Sequence, residues 1–299
     1  MEKIMRRKSF TLVDLLVVIV TIALLIAVLV PGLARAKPLA YRMVCGSNLA
    51  GIGKAILLYS QDNDGDFPVA GGPEASWSTL GAVNNIGWLL GWSEEKTFGI
   101  PPNNKATITS CFYLLVRYRM AQPKQFVCKG DDNVKVFRPS ILIIAPKYGI
   151  FSTWDFGDGC QIWPGECCSY SYHMPFSFPD LRPGFEGELM KTNFAINQMS
   201  PENSPVCADR NPFLDENATD VEAGDNCAAH GKRGQNVLYK DLHVNFEKSP
   251  NVGIGEDNIW TYYDANTSTD EPPAFIGDDG PPSDPYDAYL VSEYQQMPP

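Results

Sequence analysis

Residues 6–32 read RRKSFTLVDLLVVIVTIALLIAVLVPG, and the fold of the whole chain turns on how they are understood. Residues 15–30 are sixteen consecutive uncharged, almost wholly apolar positions. Extended back to Phe10, the run makes a helix about 30 Å long, enough to span a bilayer. Lys3, Arg6, Arg7 and Lys8 precede it against the single acid Glu2. The positive-inside rule therefore places the short N-terminus in the cytoplasm and everything after Pro31 outside. One residue in the run is out of place: Asp14 puts a carboxylate in lipid, which is costly, so its retention demands a partner. Pro31 removes a helical hydrogen bond and clashes with the preceding turn, so the helix is expected to kink or break where Gly32 follows.

Beyond the proline, Leu49, Ile52, Ile56 and Tyr59 fall at helical spacing, with Ser47, Asn48, Lys54 and Gln61 off that stripe. This predicts a second, amphipathic half-helix over residues 39–60 whose apolar face meets a sheet. Gly46, Gly51 and Gly53 make it weak in isolation, so packing must hold it. The stretch QDNDGDFP, residues 61–68, ends it. Asp62, Asp64 and Asp66 alternate there like the start of a calcium loop, without the distal glutamate of an EF-hand. An Asn-, Asp- and Gly-rich turn also stops a helix with no metal, so calcium is the one cofactor suggested and not a required one.

The remaining composition is that of a globular protein, 299 residues long and 44% hydrophobic. A net charge of −11 excludes a general nucleic-acid-binding surface. No Lys or Arg follows Lys248, whereas ten Asp or Glu do, a surface that favours cations. Eight cysteines in an oxidising compartment predict several disulfides, Cys45 tying the helix to the globular part, although the connectivity is not readable. Zinc is the competing use, disfavoured because there is no C-x-x-C and the adjacent Cys167 and Cys168 are poorly spaced.

Residues 69–204 read as short strands and loops, with FYLLVRYRM (112–120) the main helix-like segment. RPSILIIAPKYGIF (138–151) and CCSYSYHMPF (167–176) are strand candidates. No Walker loop, G-x-S-x-G or H-E-x-x-H occurs, so no enzyme is expected. The stretch HGKRGQNVLYKDLHVNFEKSP, residues 230–250, predicts a hairpin of 237–239 with 243–246 around Lys240, Asp241 and Leu242. His230, Asp241 and His243 could bind a metal, completed by His173; alternatively Asp241 fixes the turn and the histidines bond to loop backbone. From Asp264 the chain has seven prolines and no basic residue, which predicts a flexible acidic tail. Tyr286, Tyr289, Leu290, Val291 and Tyr294 are its apolar means of docking on a partner or on the body.

Basic residues, a small residue Ser9, FTLVD and a long apolar helix resemble the class III signal of type IV pilins and type II secretion pseudopilins. The resemblance implies cleavage by prepilin peptidase between Ser9 and Phe10, methylation of the new amine, and retention of the helix. It also implies that Asp14, the fifth mature residue, neutralises the N-terminal amine of a neighbouring subunit, and that Pro31 stands at the usual depth. Ser9 and Asp14 stand where the family usually has Gly and Glu. A conventional secretory signal cut after Ala34-Arg35-Ala36 is the competing reading of the same segment.

The stretch from His230 resembles the C-terminal HGG.GxNVLFxDGHV signature of a large group of bacterial pilin-like proteins, and FVCKGDDN, SPVCADRNPF and VGIGEDNIWTYY fit the same group. Leu242 stands where that signature has Gly. The resemblance covers residues 1–68 and 123–263. It implies an α+β fold, a long N-terminal helix on an antiparallel sheet with a loop-rich, cysteine-tied insertion. The expected organisation is a leader at 1–9, the helix at 10–60 (10–30 transmembrane), a head at 61–263 and the tail at 264–299. The expected role is a pilus or pseudopilus subunit of the inner membrane with its head outside, whose partners are the peptidase, other pilin-like subunits and the membrane, not nucleic acid. The alternative is an anchored extracellular binding or metal-dependent enzymatic domain that uses the helix only as a tether.

Overall fold

The computed structural model describes residues 11–72, 75–77, 93–100, 104–138, 150–151, 153–156, 163–176, 178–179, 189–190, 195–215, 220–264, 269–272 and 286–293. Ser9 and Phe10, and 139–149 of the first strand candidate, lie outside the described residues. The chain divides into two compact units, 1–40 and 41–299.

One helix, α1 (Leu12–Asp62), takes up 51 residues and contains both Pro31 and Pro38. The interruption expected at Pro31 is therefore not an end of the helix. A proline deletes one backbone bond and tilts the axis locally, and long runs of helix-forming residues on both sides keep the ladder going. In the first unit every large apolar side chain from Leu12 to Leu33 is exposed, and the mean hydropathy of the most apolar 18-residue window is 3.2. This helix is long and apolar enough to cross a membrane.

In the second unit the residues of α1 that are buried are Cys45, Leu49, Ile52, Gly53, Ala55, Ile56, Tyr59 and Ser60, so the stripe read from the sequence is the stripe that packs. They meet an antiparallel sheet of five strands: β1 (Tyr170–His173), β2 (Pro205–Asp209), β3 (Gln235–Tyr239), β4 (Val244–Glu247) and β5 (Leu290–Val291). Their order is β5-β1-β2-β3-β4. Contact between helix and sheet is close at Gly53, where a Cβ would stand 2.9 Å from Leu238 on β3. Gly46, where a Cβ would stand 3.2 Å from Asn236, and Gly53 are thus what let the helix approach the sheet.

A short helix, α2 (Glu94–Phe98), precedes α3 (Ile108–Arg117), which is buried over most of its length. The helix starts four residues before the expected segment because Thr107 caps it: the Ser110 amide donates to Thr107 Oγ1 at 3.0 Å, and the Thr107 amide donates to Ser110 Oγ at 3.1 Å. It stops at Arg117 because Arg119 takes a positive φ of 64°. Phe112 packs between Phe126 and Tyr172, joining α3 to β1.

The expected hairpin is present as β3 and β4, with Val237 opposite Asn245 and Leu238 opposite Val244. Leu242 holds φ at 74° in its turn, a left-handed conformation that glycine would adopt more readily. Two sequence expectations are corrected. The C-terminal segment is not flexible throughout, since Leu290 and Val291 pair with His173 and Tyr172 as the edge strand and Asp287 to Glu293 are buried. Nor does the expected cysteine pairing appear among the described residues: no disulfide joins any two of the seven described cysteines, and Cys160 lies outside the described residues. Most pack as small apolar groups in the core.

Candidate functional site

The structure divides the His230, Asp241 and His243 trio. Asp241 and His243 lie at the exposed end of the hairpin, where Asp241 Oδ1 accepts from the His243 amide at 3.1 Å and from its ring nitrogen Nδ1. The His243 ring stacks on Tyr239 at 4.3 Å. This is the turn-fixing arrangement. His173 is buried on β1, and burial depresses its pKa to about 4, since the surroundings disfavour the imidazolium.

His230 belongs to a different neighbourhood. It closes the 3-10 turn Ala228–His230, and its Nε2 lies 3.1 Å from Asp209 Oδ2, 3.3 Å from Asn236 Nδ2 and 3.6 Å from Cys128 Sγ. Cys45 on α1 completes the group, and one ligand atom from each of Cys45, Cys128, Asp209 and His230 lies within 4.8 Å of the others. Four separate elements deliver these side chains: α1, the loop after the 3-10 turn Pro123–Phe126, the end of β2, and the turn before β3. All four are buried, Cys45 and Asp209 completely.

Partners outside the group orient it. Asp209 Oδ2 accepts from the Asn236 amide at 2.6 Å and from Asn236 Nδ2 at 3.0 Å. The Gly130 amide donates to Cys128 Sγ at 3.3 Å. Asp209 Oδ1 is buried with no hydrogen-bond partner. Burial alone would lower the His230 pKa, but the hydrogen bonds with Asp209 and Cys45 outweigh it and raise it to about 9. Between the thiols, the hydrogen bond from Cys128 eases ionisation of Cys45, and the same bond together with burial holds Cys128 protonated.

Sequence reasoning used Cys45 only as a disulfide tether and did not single out Cys128 or Asp209. The usable signal was that FVCKGDDN and SPVCADRNPF, which hold them, were singled out by the same resemblance as the stretch that contains His230.

Asp62, Asp64 and Asp66 sit on the turn that ends α1, closed by the Gly65 amide donating to Ser60 O at 2.8 Å and Asp66 to Asn63 O at 2.8 Å. They are not among the described residues whose side-chain ligand atoms converge. At the start of α1, Asp14 Oδ2 accepts from the Thr11 amide at 3.0 Å and from its hydroxyl at 2.7 Å, and the Asp14 amide donates back to Thr11 Oγ1 at 3.2 Å. This is a reciprocal helix cap. No protein-family model matches the chain, and neither a curated protein nor a solved structure matches it.

Proposed function

We propose that the chain is a pilin-like structural subunit, held in the inner membrane by the first half of α1 and carrying its head outside. Cleavage between Ser9 and Phe10 would release the leader, and the exposed apolar half of the helix would pack against the helices of other subunits in a pilus- or pseudopilus-type filament. Burial of that surface drives assembly. The observation that carries this reading is the division of labour in α1: its large apolar side chains are exposed from Leu12 to Leu33, and its buried residues begin only at Cys45.

The test is the mature N-terminus, determined by mass spectrometry on protein isolated from its own cell envelope, with in vivo cross-linking of neighbouring helices. A chain beginning at N-methylated Phe10 and cross-linked through α1 supports the reading; a chain beginning at Met1, or one cut near Lys37, overturns it. One observation favours the tether alternative: Thr11 satisfies Asp14 within its own helix, so the carboxylate does not need a neighbour's amine. Asp14→Ala separates the two, abolishing cross-linked assembly in a filament subunit and leaving an anchored domain unaffected.

A further inference from the structure

We infer that Cys45, Cys128, His230 and Asp209 form a binding site for one divalent metal ion of the zinc class. Two sulfurs, an imidazole nitrogen and a carboxylate oxygen are a donor set that suits a borderline-soft ion, and hard cations such as calcium prefer oxygen alone. The geometry agrees with the chemistry. A tetrahedral site with ordinary zinc bond lengths has N···S and N···O edges of about 3.5 and 3.3 Å. The separations from His230 Nε2 are 3.6 Å to Cys128 Sγ and 3.1 Å to Asp209 Oδ2.

Three further features point to an ion. Asp209 is fully buried, yet Oδ1 has no hydrogen-bond partner, a cost in free energy that a cation held across both oxygens of the carboxylate would relieve. Arg210, next in the chain, does not supply it: its guanidinium is spent on the carbonyls of Gly165, Cys168 and Glu293 and on Asp131. The orienting bonds that metal ligands need are also in place, since Asn236 holds Asp209 Oδ2 through two N–H groups and the Gly130 amide supports Cys128.

The absence of C-x-x-C, which disfavours zinc on sequence grounds, reflects ligands drawn from four elements and not from one knuckle. Such an ion would join α1 to β2 and to two loops of the same unit, the task the sequence suggested for a Cys45 disulfide. The inference concerns the second compact unit alone and does not depend on whether the exposed half of α1 enters a filament.

The experiment uses the full chain, purified in detergent without chelators. Metal content is measured by inductively coupled plasma mass spectrometry, and cobalt(II) is then exchanged into the site. One equivalent of zinc per chain, and a cobalt form with thiolate-to-cobalt charge-transfer bands and the intense visible bands of a tetrahedral ion, are expected. His230→Ala and Cys128→Ser should remove both, whereas Asp241→Ala and His243→Ala should keep them. If the first two variants fail to fold, the wild-type stoichiometry and cobalt spectrum still decide. A Cys45–Cys128 disulfide in unreduced peptide maps overturns the inference, as does a chain with both thiols free, negligible metal and no cobalt band.

Discussion

The indole Nε1 of Trp77 donates to Glu293 Oε1 at 2.6 Å, joining positions 216 residues apart. The same oxygen accepts from the Ile108 amide at 2.8 Å, so a carboxylate from the C-terminal segment sits on the first turn of α3, where unpaired N–H groups favour negative charge. Asp155 lies alongside, accepting from the hydroxyls of Thr107 and Thr109. The segment after β5 is therefore a latch on the head.

That latch should respond to pH. Burial raises the Glu293 pKa from 4.5 to about 7, and Asp155 is shifted upward for the same reason. Folding takes up protons in that interval. The stabilisation is thus complete below about pH 4.5 and is lost as pH rises through about 7. A shift of this size corresponds to roughly 3 kcal/mol. Glu293→Gln keeps an acceptor for Trp77 and Ile108 but does not titrate, so its melting temperature should fall less than wild type between pH 5 and 8. Parallel curves for the two proteins would refute the latch as a titrating element.

Arg210 lies behind that latch, with 1% of its side chain exposed. It donates to Glu293 O at 3.0 Å and Gly165 O at 2.8 Å, and also to Cys168 O. Arg210→Met would leave those carbonyls buried and unpaired. The expected loss is about 3–5 kcal/mol in urea unfolding. Arg210→Lys should recover only part, because an ammonium cannot reproduce the planar fork. Full recovery would mean that charge alone matters there.

The parts of the fold that were legible are those encoded locally. The stripe Leu49, Ile52, Ile56 and Tyr59 needs only helical periodicity, and β3–β4 needs two β-rich runs around a turn with Asp241. Strand β5 is two residues long and hidden in an acidic, proline-rich segment, so composition argued for disorder while Tyr289, Leu290 and Val291 carried the opposing signal. The cluster around His230 was illegible for a different reason. Its ligands come from positions 45, 128, 209 and 230, and only tertiary packing brings them together, whereas Asp241 and His243 are neighbours in sequence and drew attention to an exposed turn.

Gly53 tests how tightly α1 is seated. A Cβ there would stand 2.9 and 3.0 Å from the two terminal carbons of Leu238, a fully buried residue, and 3.3 Å from Leu242. A branched side chain must displace Leu238 from the core or lift the helix. Gly53→Val should therefore destabilise the head by about 2 kcal/mol despite its better helix propensity. Lowered thermal stability with an unchanged far-ultraviolet spectrum is the expected result. No change would mean that α1 sits farther from β3 than these separations.

The separation of His230 from His243 gives the sharpest test of the site. His230 bonds to Asn236, and His243 stacks on Tyr239, three residues farther along β3, a distance of about 10 Å. Asp241 and His243 are each about two-fifths exposed, so solvent screens their pair, and Asp241→Ala or His243→Ala should cost under about 1 kcal/mol. Asp209→Ala or His230→Ala removes one partner of a fully packed, buried polar pair, leaves the other unpaired and should cost about 3–5 kcal/mol. Because the two groups share no partner, the double variant His230→Ala/His243→Ala should be additive to within about 0.5 kcal/mol. A coupling energy above about 1 kcal/mol would restore the single site that the sequence first suggested, with the hairpin turn and the buried cluster acting as one unit.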